Sequence, residues 1–129
     1  LLRALPWRKT GHDAKQAEGV PMNQSSLRLK IAIRVMSGEE IAMGPGKADL
    51  LDAIAAHGSI SAGARAMGMS YRRAWLLVDA MNRCWSGPLV ATAPGNSRGQ
   101  AARLTELGAT VLAAYRALQQ ATTLAAGAA

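Results

Sequence analysis

A chain of 129 residues, half of them apolar, is long enough to bury one core and too short for two domains of ordinary size. Its formal net charge of +7 points to a polyanionic partner, and its one cysteine excludes an internal disulfide and fits a reducing, cytoplasmic setting. No apolar run approaches the ~18 residues of a membrane span, so no membrane partner is expected, and LLRALPWRKTGHD lacks the apolar core of a signal peptide.

Residues 1–24 mix Pro, Gly, Lys and Gln without periodicity and read as a mobile basic arm before one domain, 25–129. Met22 directly precedes the first patterned segment and is a candidate natural start. Leu27, Leu29, Ile31, Ile33 and Val35 alternate with Arg28, Lys30, Ala32 and Arg34, which predicts a strand with one buried face. SGEE at 37–40 reads as a turn and Ile41 to Met43 as a short return strand, closing an N-terminal β-hairpin. Gly44-Pro45-Gly46 then breaks the chain. A helix is expected from about Lys47 to His57, with Leu50, Leu51 and Ile54 inward and Gly58 as its stop.

Gly58 to Trp85 reads as two helices joined by a tight turn. Ser59 caps the first, Gly68 ends it in a left-handed conformation, and Ser70 caps the second. Ala64, Gly68 and Ala74 are small where the two helices are expected to cross. On a helical wheel Ala74, Leu77, Val78, Met81 and Trp85 share one side, with Arg72, Leu76, Asp79 and Arg83 opposite and Arg73 flanking them. Cys84 and Trp75 are assigned to core packing. After Trp85, Leu89 to Ala93 and Ala101 to Leu104 form two strand-like runs around PGNSRGQ, a candidate wing with Arg98 near its tip and Arg103 on its return strand. Thr105 caps a last helix from Glu106 to around Leu124, striped by Leu107, Val111, Tyr115 and Leu118, with Leu104 and Leu112 alongside. So wide an apolar face on so small a domain predicts a symmetric partner, and those four residues are the candidate dimer contacts.

The charge is unevenly spread. Residues 59–103 carry Arg65, Arg72, Arg73, Arg83, Arg98 and Arg103 against Asp79 alone, a concentration that fits double-stranded DNA. Arg72 and Arg73 either bond guanine edges bidentately or pair with phosphates. Ser61, Ser70 and Tyr71 suit backbone-positioning contacts, Arg98 a minor-groove or phosphate contact, and Leu76 a thymine methyl or plain solvent exposure. Enzyme signals are weak. GPGK at 44–47 lacks the upstream glycine and following Ser or Thr of a phosphate loop, having Ile41 and Ala48 there. Asp52, His57 and Ser59 make no credible triad, and two histidines with one distant cysteine make no zinc site. No catalytic activity, cofactor or metal is expected.

GPGKADLLDAIAAHGSISAGARAMGMSYRRAWLLVDAMNR, followed by GPLV and ARLTELG, resembles the amino-terminal winged-helix domain of ModE-type molybdate-responsive transcriptional regulators, over residues about 27 to 118. SISAGARAMGMSYRRAW is the most specific part, whereas LTELG also resembles a segment of LysR-type regulators. The resemblance implies a homodimeric DNA-binding protein linked to molybdenum uptake or molybdoenzyme genes. Tyr71 to Arg83 would be the recognition helix, and the last helix and first strands would contribute to dimerisation. Family members that sense molybdate do so in carboxy-terminal oxyanion-binding domains, so no small-molecule effector is expected to bind this chain directly. The family wing is often a longer glycine run than Pro94-Gly95-Asn96-Ser97-Arg98-Gly99.

The reading is therefore an α+β fold: a winged helix-turn-helix with an N-terminal β-hairpin and a long C-terminal dimerisation helix, serving a sequence-specific transcriptional regulator. The alternative is an interaction module that heterodimerises with a full-length regulator without reading an operator itself.

Overall fold

The computed structural model describes residues 27–96 and 99–127, and side chains outside 94–100. The chain divides into two units, Leu1–Lys30, most of which lies outside the described residues, and Ile31–Ala129. The expected arm, 1–24, lies outside the described residues, as does Arg98. Among the described residues the fold is mixed α/β, with four helices and two two-stranded antiparallel sheets.

The first sheet pairs β1 (Val35–Ser37) with β2 (Glu40–Met43) around the turn Gly38-Glu39. The long strand expected over Leu27–Val35 is absent: residues 27–34 are irregular, and Leu27 and Leu29 are exposed. The reason lies in the partner strand. β2 ends at Met43, which pairs with Val35, and Gly44-Pro45 turns the backbone straight into a helix, so no ladder groups remain for residues before Val35. Alternation supplied a face, but nothing supplied the hydrogen-bond acceptors and donors.

Helix α1 (Pro45–His57) starts two residues earlier than expected. Pro45 occupies its first turn, where a missing N–H costs nothing, so the proline opens the helix rather than breaking the chain. It buries Ala48, Leu50, Leu51 and Ile54 and stops at Gly58, whose φ of 80° only glycine adopts easily. Helix α2 (Ile60–Ala66) is capped by Ser59, whose Oγ accepts from the Ala62 N–H at 3.0 Å. A turn with Gly68 at φ 69° leads to helix α3 (Tyr71–Cys84), capped by Ser70. Helix α2 crosses α1 closely: a Cβ on Gly63 would lie 3.1 Å from Ile54 Cγ1. Gly68 takes the left-handed conformation expected of it, but no described atom lies within 4 Å of where its Cβ would stand, so it does not form the helix crossing.

The second sheet is the hairpin β3 (Val90–Asn96) and β4 (Gly99–Leu104), longer on both arms than expected. Its base is fastened in two places. The Ala102 N–H donates to Gly58 O at 2.9 Å, joining β4 to the corner between α1 and α2. Asn82 of α3 receives the Leu89 and Val90 N–H groups on Oδ1, at 2.8 and 3.0 Å, and donates Nδ2 to Val90 O at 3.1 Å. Asn82→Ala strands those half-buried backbone groups, and chemical denaturation should show a loss of about 2 kcal/mol.

Helix α4 (Glu106–Gly127) follows Thr105, whose Oγ1 accepts from the Gly108 N–H at 2.9 Å and donates to Pro88 O at 2.8 Å. Val111, Leu112 and Tyr115 close the core over Met43, Leu50, Leu51, Ile54, Met81 and Leu89, all six of which are fully buried. The Tyr115 hydroxyl donates to Ile33 O at 2.7 Å, and burial pushes its pKa up. Arg116 pairs with Asp49 and Asp52 of α1, tying the outer side of α4 to the first helix.

Candidate nucleic-acid interface

Helix α3 has one face in the core and one in solvent, as its periodicity predicts. Ala74, Val78 and Met81 are buried, with Leu77 and Trp85 packed beside them; the Trp85 indole N–H donates to Ala42 O at 3.1 Å. Tyr71, Arg72, Arg73 and Leu76 are exposed on the first turns, and Arg73 N–H donates to the Ser70 cap at 3.1 Å. Trp75 departs from expectation. It is 46% exposed beside Arg72, because one residue past the buried Ala74 the helix has already rotated out of the core.

Arg72, Arg73, Leu76, Leu77 and Ser70 line one shallow depression at the N-terminal end of α3. Among the described residues neither Arg72 nor Arg73 has an ion-pair partner; the pairs present use Arg83 and Arg116. Their position is locally unfavourable. The first turn of α3 holds no acid, and two cations there oppose the positive end of the helix dipole, at a cost of a few tenths to about 1 kcal/mol each. Lys47 of α1 adds a partly buried ammonium. Burial pushes its pKa below the lysine range, Cys84 and Glu40 act against that shift, and Arg73 and Arg34 repel it further.

Arg83 has a different environment. Its guanidinium grips Glu40 of β2 with both ends, at 3.0 and 2.9 Å, and reaches Asp79 one turn back at 3.0 Å. Arg83 holds the Glu40 carboxyl below the usual carboxylate range. An exposed pair contributes little stability, but its fork is already occupied within the chain. Ser61 is half-buried beside the Ser59 cap, their hydroxyl oxygens 3.5 Å apart. Arg103 is exposed on β4 opposite Ala91, and Arg65 is exposed on the last turn of α2.

The four candidate dimer residues are split by the fold. Val111 and Tyr115 are 9% and 3% exposed, buried within this chain, and Leu107 packs on the core edge; Leu118 is 46% exposed. Val35, Met43, Trp85, Val111, Tyr115 and Leu118 border an apolar hollow of about 220 Å³ between α4 and the first hairpin. Asn82 went unnoticed in the sequence, where an asparagine on a helix gives no hint that its amide will meet a strand eight residues on. No helix of the described residues is long and apolar enough to cross a membrane, and none of their His, Cys, Asp and Glu side chains cluster as metal ligands.

No protein-family model matches the chain. Curated relatives do. The chain is 37% identical over 106 residues to MopA of Rhodobacter capsulatus, a molybdenum-pterin-binding protein, covering 82% of this chain and 39% of MopA. MopB of the same organism, also a molybdenum-pterin-binding protein, is 39% identical over 109 residues, covering 84% of this chain and 35% of MopB. ModE of Escherichia coli K12, a DNA-binding transcriptional dual regulator, is 33% identical over 94 residues, 73% of this chain and 36% of that protein. The chain thus spans under two fifths of the length of these relatives. Its likeness to them makes it ModE-like and ties it to molybdenum-related proteins.

Proposed function

We propose that this chain is a sequence-specific DNA-binding transcriptional regulator, a winged helix-turn-helix of the ModE-like kind that acts as a homodimer in molybdenum-related gene control. The observation that carries the reading is the pair Arg72 and Arg73 on the first turn of α3, exposed, without ion-pair partners among the described residues, and opposing their own helix dipole. A local choice that works against the fold is retained where a function uses it. In the major groove these guanidiniums meet guanine edges or phosphates while Ser70 and Tyr71 hold the backbone. In this reading Arg103 on β4 and the wing residue Arg98, which lies outside the described residues, add contacts to the flanking duplex. Arg83 has both ends of its guanidinium taken by Glu40, so base reading is assigned to Arg72 and Arg73 instead. The role is non-enzymatic, and effector sensing is assigned to a different segment or chain.

A second reading has its own support. The hollow bordered by Trp85, Tyr115 and Leu118 fits an interaction module that joins a full-length regulator and reads no operator. Salt separates the two. Fluorescence anisotropy with a labelled duplex should show affinity falling by about a hundredfold or more between 50 and 200 mM salt. Binding that ignores salt, or no binding at 50 mM, overturns the DNA reading in favour of the module.

A further inference from the structure

Leu76 is 47% exposed on α3, in a depression it shares with Arg72, Arg73, Ser70 and the half-buried Leu77. At about 100° per residue it falls between Arg72 and Arg73 on the helix circumference. The three side chains line the same depression. An apolar protein surface is a poor occupant for it. Covering Leu76 that way would also desolvate two guanidiniums that have no anion among the described residues, a cost the contact of one leucine does not offset. A DNA major groove supplies every element at once: acceptors on guanine, anionic phosphates, and one apolar group, the thymine C5-methyl.

We infer that Leu76 is a specificity-determining residue that reads a thymine methyl next to the base pair engaged by Arg72 or Arg73. The half-site therefore contains a thymine adjacent to a guanine-bearing pair. The inference rests on the proposed DNA reading and deepens it. Val78 and Met81, though apolar, cannot share this role, because they are buried on the opposite side. Trp75 and Tyr71 lie across Arg72 from Leu76 and do not line the depression.

Deoxyuridine isolates the contact, since it removes the methyl and leaves base pairing and every hydrogen-bonding edge intact. The probe is the duplex most enriched by in vitro selection from random sequence, with each thymine replaced singly by deoxyuridine. Replacement at one position per half-site should weaken binding of the native chain about threefold to tenfold. Leu76→Ala, at an exposed position where folding is checked by circular dichroism, should bind the thymine duplex more weakly and lose the distinction between thymine and deoxyuridine. Equal binding of all the deoxyuridine duplexes by the native chain overturns the inference, as does undiminished discrimination by Leu76→Ala. Both results leave the DNA reading standing. Failure of the chain to bind any thymine-containing duplex overturns both.

Discussion

Replacing Arg72 and Arg73 together by alanine is expected to reduce affinity for a selected duplex by about 2–6 kcal/mol, the range for two bidentate base contacts. The fold should survive. Both side chains are exposed, and no ion pair among the described residues is lost with them. Removing two cations from the positive end of α3 relieves the helix dipole, and alanine favours helix, so thermal stability should hold or rise slightly. That combination, a large binding loss without a stability loss, is hard to produce by any indirect route. If the arginines touch phosphates alone, the loss will instead be uniform across sequences and the salt slope will fall by about one per arginine.

Gly108→Ala is expected to cause the largest stability loss, about 3 kcal/mol by denaturant unfolding. Helix propensity alone predicts the opposite, a gain of about 1 kcal/mol for alanine over glycine within a helix. Packing decides the sign. A Cβ at position 108 would stand 2.1 Å from Leu89 O and 2.9 Å from Leu89 C, which are backbone atoms and cannot rotate away. That carbonyl also accepts the Thr105 N–H at 2.9 Å, so moving it disturbs the cap of α4 as well as the start of β3. The close approach is what lets α4 lie against the hairpin base and present Val111, Leu112 and Tyr115 to the core. A stabilised Gly108→Ala variant would mean that α4 is not seated as described.

Helix α3 was legible down to its N-cap, because an apolar stripe at helical spacing and a serine hydroxyl at the helix start are both local signals. The helix after it was legible too, since Thr105 and the stripe through Tyr115 follow the same logic. The segment Leu27–Arg34 was not. Its alternation is a true strand pattern, but a strand exists only with a partner ladder, and the length of β2 is set by Gly44-Pro45, outside the pattern itself. Long-range polar contacts were equally hidden. Nothing local links Arg83 to Glu40 or Asn82 to Leu89, yet these bonds decide which polar groups of α3 remain free for another molecule. Val111 and Tyr115 show the same limit for apolar residues. A stripe says that a face is buried, and the fold shows that much of the burial is within this chain.

In the proposed function the solvent face at the start of α3 reads a DNA sequence. In vitro selection from a random duplex library, run in parallel with the native chain and with the Arg72→Ala, Arg73→Ala variant, tests it most directly. The native chain should enrich a sequence motif that the variant loses or relaxes at specific positions. No enrichment by the native chain, or the same motif recovered by both, would contradict it.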